Sequence, residues 1–178
     1  AYINGYPDKG VHPQANITRA EVAAIFYRLL TDEARDRYEA STSRFADANK
    51  NWAAKEIATL TSAGIIEGYE DGTFRPDASI TRAEYAAIAS RFDKLESGSM
   101  RFSDVPSTHW AYSAIASAAE KGWINGYSDG TFRPDNNISR AEAVTLTNAV
   151  LNRICDEEFV ADHIDEVLTF NDLPSTHW

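Results

Sequence analysis

The chain has 178 residues, 43% apolar and 11% aromatic, enough to bury a core, and its 27 acidic against 17 basic side chains give a net charge of −10. So acidic a chain, with no run of Lys or Arg, is a poor match for duplex nucleic acid, whose phosphates need cationic partners. No apolar run approaches the roughly 18 residues that span a bilayer, and the opening Ala1-Tyr2-Ile3-Asn4-Gly5 has no charged or apolar leader region. The expectation is therefore an excised piece with no membrane insertion. Cys155 is the only cysteine, which leaves no intramolecular disulfide or multi-thiolate metal site and points to a structural role.

Taken in order, the chain repeats itself. Residues 1–30 hold a turn, Gly5-Tyr6-Pro7-Asp8-Lys9-Gly10-Val11-His12-Pro13-Gln14, and then Ile17-Thr18-Arg19-Ala20-Glu21. A helix is expected over 19–30, with Val22, Ile25, Phe26 and Leu29 inward. Residues 31–44 are charged and read as a linker with a frayed helical extension. Residues 45–92 make a complete unit that opens on Phe45-Ala46-Asp47. Trp52, Ile57, Leu60 and Ala63 follow near helical spacing, and Gly64 is placed to end that first helix in the left-handed conformation. Next come the turn Gly68-Tyr69-Glu70-Asp71-Gly72-Thr73-Phe74-Arg75-Pro76-Asp77 and Ile80-Thr81-Arg82-Ala83-Glu84, which starts a second helix burying Tyr85, Ile88, Ala89 and Phe92.

After a linker at 93–101, residues 102–151 repeat the whole unit. Phe102-Ser103-Asp104, Trp110, Ile115, Ala118, Ala119, Gly122, the turn Gly126-Tyr127-Ser128-Asp129-Gly130-Thr131-Phe132-Arg133-Pro134-Asp135 and Ile138-Ser139-Arg140-Ala141-Glu142 follow in the same order, with Ala143, Leu146, Thr147 and Val150 as the second buried stripe. The offsets from turn to turn and from cap to cap agree, 63 residues and then 58. Apolar residues in 152–169 suggest one more helical spacer, and residues 170–178 copy 102–110, stopping where a first helix would begin. Three second helices therefore face two first helices. Either the chain was cut inside its repeats, or its ends meet in space and leave a gap that a partner fills.

In each repeat Thr18, Thr81 or Ser139 stands three residues before Glu21, Glu84 or Glu142, the spacing of a reciprocal capping box. The residue without a helical reason is the arginine. Arg19, Arg82 and Arg140 stand at the first helical position, where a cation meets the positive end of the dipole at a cost of about 0.3–1 kcal/mol. Two explanations stand open. Free backbone N–H groups and a forked guanidinium together describe a pocket for a carboxylate or phosphate. Alternatively each arginine pairs with an aspartate such as Asp47, Asp77, Asp104 or Asp135, and it can do both.

Trp52, Trp110 and Trp178 open the first helices and are expected as core anchors; left exposed, an indole would instead offer a platform for a sugar ring. Asp71-Gly72 and Asp129-Gly130 lack the alternating ligand series of a calcium loop and are expected as turns. His12, His109, His163 and His177 show no metal-ligand spacing, and no nucleophile–base set stands out, so neither a metal, a cofactor nor an enzyme is expected.

The combination of Phe-x-Asp, Trp, Gly-Tyr-x-Asp-Gly-Thr-Phe-Arg-Pro-Asp and Ile-[Thr/Ser]-Arg-Ala-Glu in fixed order resembles the S-layer homology (SLH) family of bacterial surface proteins. The resemblance implies a mainly α fold, tandem helix-turn-helix-like repeats in a pseudo-threefold spindle with grooves between neighbours. It also implies an extracellular, wall-associated protein of a Gram-positive-type bacterium. Such a module anchors non-covalently to secondary cell-wall polysaccharide, commonly carrying pyruvylated N-acetylmannosamine. By position, Arg19, Arg82 and Arg140 would contact the pyruvyl carboxylate, while Trp52, Trp110, Gly68, Gly126, Asp71 and Asp129 would line or shape the grooves. Unit one departs from the pattern with Val11, His12 and Gln14. The alternative is a protein-interaction repeat that contacts other surface-layer subunits.

Overall fold

The computed structural model describes residues 3–92, 98–153 and 170–172. Six helices are found there: α1 (Arg19–Leu29), α2 (Asp32–Tyr38), α3 (Ala54–Ser62), α4 (Arg82–Ser90), α5 (Tyr112–Glu120) and α6 (Arg140–Val150). Among the described residues there is no sheet, only three isolated bridges, so the fold is mainly α as expected. The expected spacer helix, together with Cys155, His163, His177 and Trp178, lies outside the described residues.

The second helices are α1, α4 and α6. All three capping boxes form, with the Thr18, Thr81 and Ser139 hydroxyls accepting from the backbone of Glu21, Glu84 and Glu142 while each glutamate carboxylate reaches back to the cap. The first helices, α3 and α5, have no side-chain cap at their start. They end instead on Gly64 (φ 71°) and Gly122 (φ 70°). Ile65 N–H donates to Leu60 O at 2.9 Å and Gly64 N–H to Thr61 O at 3.0 Å, the paired bonds by which a left-handed glycine closes a helix.

Three isoleucines hold the units around one axis. Ile80 N–H donates to Ile17 O, Ile138 N–H to Ile80 O and Ile17 N–H to Ile138 O, each at 3.1 Å, so the ring closes on itself. All three side chains are fully buried. This is the pseudo-threefold arrangement. Outside the ring the second helix of one unit packs on the first helix of the next, α1 on α3 and α4 on α5, while α2 covers part of α3. Tyr85 ties α4 to α6 by donating to Ala143 O at 2.9 Å.

The chain ends meet. In unit two the Asp47 carboxylate accepts from Phe74 N–H at 3.0 Å and Arg75 N–H at 2.7 Å; in unit three Asp104 does the same for Phe132 and Arg133, at 2.8 and 2.7 Å. Unit one takes its aspartate from the far end, since Asp172 accepts from Val11 N–H at 2.8 Å and His12 N–H at 2.7 Å. Each carboxylate thereby holds a residue in the left-handed region, Arg75 (φ 57°), Arg133 (φ 58°) or His12 (φ 50°).

Candidate functional site

The helix N-termini are not free, contrary to the expectation of an anion pocket built on open backbone donors. Arg19 N–H donates to Ala78 O and Ala20 N–H to Pro76 O, both at 2.9 Å, so carbonyls of the next unit's turn consume them. Arg82 and Ala83, and Arg140 and Ala141, are engaged in the same way. The cap hydroxyl takes the third donor. The reason is the threefold closure, which seats each turn against the neighbouring helix start.

The guanidinium groups cross the same boundary. Arg82 donates from Nε to Phe132 O at 2.8 Å, from Nη2 to Asn125 O at 3.1 Å and from Nη1 to Glu142 Oε1 at 2.9 Å. Arg140 repeats this with Val11 O, Asn4 O and Glu21, and Arg19 with Phe74 O, Glu67 O and Glu84. The ion-pair partner is thus the capping-box glutamate of the next unit, not one of the aspartates. Asp47 and Asp104 are already committed to backbone N–H groups, while Glu84, Glu142 and Glu21 stand within 3.1 Å of the arginine that arrives.

Each arginine also lies against aromatic rings. Arg19 Cζ is 4.7 Å from the Tyr69 centroid and 4.5 Å from Phe74, Arg82 5.0 Å from Tyr127 and 4.7 Å from Phe132, and Arg140 4.6 Å from Tyr6. Such contacts favour the cation where water cannot solvate it. The tyrosine hydroxyls donate to the same glutamates. Burial first, and then the bond to Glu21, push the Tyr6 hydroxyl up to about 12, so it remains a donor at any ordinary pH. A guanidinium has five N–H donors; among the described residues, three of the five are engaged at Arg19, Arg82 and Arg140.

These side chains floor three grooves between units. The groove of Arg140 has a volume of about 660 Å³ and is lined by Gly5, Tyr6, Glu21, Arg28, Trp52 and Asp77 among others. The groove of Arg19, about 370 Å³, holds Gly68, Tyr69, Glu84, Arg91 and Trp110. That of Arg82, about 300 Å³, holds Trp123, Asn125, Gly126, Tyr127, Glu142 and Leu146. The divergent first unit still forms a groove, because its Gly5, Tyr6 and Glu21 keep the positions of Gly68, Tyr69 and Glu84.

Trp52 and Trp110 are not core anchors: they are 62% and 64% exposed. Ala53 and Ala111, one residue on, are buried in their place, and Ile57, Leu60 and Ile115 fill the interior. Each indole stands instead at a groove. Asp71 and Asp129 line none of the three. They hold the turns, bonded to Thr73 and Arg75, and to Thr131 and Arg133. The threonine hydroxyl first and the arginine second draw each carboxyl down from 3.8 to about 2. A depressed carboxyl contributes stability that is complete above its unfolded value and is lost as pH falls through the folded one. The stability that these carboxylates contribute is therefore expected to be intact above about pH 4 and to fade between there and about pH 2, while in the folded chain the ion pairs themselves persist until pH nears 2; a carboxyl NMR titration with midpoints near 4 would contradict the geometry.

Sequence reasoning missed the tyrosines, although Gly-Tyr recurs in every turn and the repeat could have exposed them. It also missed Arg28, Arg91 and Trp123. Arg28 and Arg91 stand 63 residues apart, the repeat offset itself, so the repeat could have exposed them even though Ala149 breaks the series in unit three, whereas Trp123 stands where Ile65 does in unit two and no period marks it. Among the described residues, no group of three or more His, Cys, Asp or Glu is placed to hold a metal. No helix there is long and apolar enough to cross a membrane.

The model of the S-layer homology domain matches residues 1–23, 44–86 and 101–144, more than half of the chain and every one of the three arginine-bearing repeats. The chain belongs to the S-layer homology domain family. Among its relatives, Cell surface glycoprotein 1 of Acetivibrio thermocellus is 42% identical over 86% of this chain, and the Cellulosome-anchoring protein of the same organism is 39% identical over 99%. Amylopullulanase of Thermoanaerobacterium thermosulfurigenes is 36% identical over 85%. The aligned stretch spans only 7%, 40% and 8% of those proteins. SLH membership places the chain at the bacterial cell surface, associated with the wall.

Proposed function

We propose that the chain is a binding module, not a catalyst, which anchors a bacterial surface protein to the cell wall by holding secondary cell-wall polysaccharide in the inter-unit grooves. The observation that carries this reading is a buried arginine at the floor of each groove, engaged through three of its five donors. In two of the grooves an exposed indole also stands at the edge. The remaining N–H groups of Arg140, Arg19 and Arg82 suit a carboxylate in a low-dielectric site, where a charge-assisted bond is strong. A pyruvylated amino sugar supplies that carboxylate, and its ring supplies an apolar face for Trp52 or Trp110. Gly68 and Gly126 keep the turn close enough for the groove to form, and Asp71 and Asp129 act at one remove by shaping it. The name of the relative that anchors cellulosomes, and the enzyme name of another, fit a module appended to different cargoes. At −10 overall the chain gains no long-range steering toward an anionic polymer, so recognition is local and several grooves add avidity.

Trp52→Ala and Trp110→Ala test this directly, because neither side chain is part of the core. Each is expected to weaken sedimentation with purified wall polymer about fivefold, the equivalent of about 1 kcal/mol per aromatic contact, without moving the melting temperature. Polymer stripped of its pyruvyl groups should bind more weakly still. Unchanged binding by the double variant would sink the proposal.

A further inference from the structure

The turn of unit one carries a socket that the rest of the chain fills from an unusual direction. In every unit the socket has the same parts: a glycine with no room for a side chain, and two successive backbone N–H groups that converge on one carboxylate. A Cβ on Gly68 would lie 2.2 Å from the Phe45 ring, on Gly126 2.4 Å from Phe102 and on Gly5 2.4 Å from Phe170. In units two and three the filling aspartate lies 27 or 28 residues before the amide it accepts from. In unit one it lies 161 residues after. The segment at 170–172 adds two bonds of its own, Asn171 N–H to Lys9 O and Asn171 Nδ2 to Asp8 O, both at 3.1 Å. His12 replaces the arginine of the other turns, bonded through Nε2 to Asp8 at 2.8 Å and with Nδ1 3.8 Å from Asp172.

We propose that this socket is an exchangeable interaction site, and that its partner in trans is the Phe170-Asn171-Asp172 segment of a second copy of this chain. Donor and acceptor are 161 residues apart in sequence. Sixteen residues separate Arg153 from Phe170, and a stretch of that length reaches about 55 Å when extended, against a radius of gyration of about 16 Å for a domain of this size. The same bonds therefore form within one chain or between two, and concentration decides which, as in any exchange of an identical element between protomers. Exchange in both directions gives a closed dimer; exchange in one direction gives a head-to-tail array. The socket adjoins the groove of Arg140, since Gly5 lines that groove and Val11 O accepts from Arg140 Nε, but the inference does not rest on the glycan reading, because its test reads association of the chain and not polymer binding.

The test is sedimentation equilibrium of the 178-residue chain, as purified and after refolding at high concentration. Dimer or higher species should rise with concentration. Asp172→Ala should weaken the association at least tenfold, and an excess of the free peptide Phe-Asn-Asp-Leu-Pro-Ser should return the unaltered chain to monomer. The peptide arm keeps the test decisive if Asp172→Ala folds poorly. A chain that stays monomeric under both preparations, or oligomers indifferent to the peptide, would overturn the proposal.

Discussion

Arg82→Ala is expected to lower the stability of the chain by about 3 kcal/mol, the lower end of the usual loss when one partner of a buried ion pair is removed. The cost has three sources. Glu142 loses the cation 2.9 Å away, and the carbonyls of Phe132 and Asn125 lose their donors. The rings of Tyr127 and Phe132 lose the flat group that packs on them. The lower end applies because Glu142 keeps its bonds to the Ser139 backbone and to Tyr127. For a domain of this size the loss corresponds to a melting temperature lower by roughly 6–12 °C. Arg82→Lys, which keeps the charge but cannot reach three acceptors in fixed directions, should fall between. A melt indistinguishable from the parent would show that the arginine is dispensable to the fold and present only for a ligand.

That expectation changes how binding by the arginines must be tested. Of the two explanations that the sequence leaves open for the arginine at the first helical position, the ligand pocket predicts that truncating it silences binding and leaves the helices intact. In the structure the same side chain joins one unit to the next, and a loss of polymer binding by Arg82→Ala would mix recognition with unfolding. The exposed Trp52 and Trp110 are the cleaner probes.

The pattern of what was legible has a physical basis. Local rules act within a few residues, and they succeeded. The Thr-x-x-Glu and Ser-x-x-Glu boxes formed, Gly64 and Gly122 ended their helices in the left-handed region, and the buried stripes of α1, α4 and α6 fell on the expected faces. What failed depends on how units meet. The pairing of Arg19 with Glu84, of Arg82 with Glu142 and of Arg140 with Glu21 runs around a closed ring, at sequence distances that no helical or turn rule specifies. The tryptophans misled for a related reason: an indole at the start of a helix looks like an anchor until the buried Ala53 or Ala111 beside it shows which way the chain faces. One long-range feature was within reach of the repeat: Phe-x-Asp at 45–47 and 102–104 each hold a turn, and the third copy at 170–172 holds the first turn, in line with the reading in which the chain ends meet.

Gly68→Ala is expected to cost about 3 kcal/mol, the upper end of the usual penalty for overpacking, and to damage the groove of Arg19 with it. The new methyl would stand 2.2 Å from Phe45 Cε1 and 2.5 Å from the backbone oxygen of Thr73. A ring can tilt away. The Thr73 carbonyl cannot, because it accepts from Tyr69 N–H at 2.8 Å and that bond closes the turn. Relief therefore means withdrawing Phe45 from Phe74, which it meets at 5.6 Å between centroids, and loosening the Asp47 bonds that hold Arg75 left-handed. Gly64→Ala is the control from the same unit. Its φ of 71° is unfavourable for alanine, but nothing lies within 4 Å of the added carbon, so the backbone alone sets a penalty of about 1–2 kcal/mol. Urea unfolding of the two variants should rank Gly68→Ala clearly below Gly64→Ala, and only the former should also lose polymer binding at temperatures where both remain folded. Equal losses would mean that the turn yields under the methyl group, and that the close seat of the Phe-x-Asp segment on the glycine is not what fixes the groove.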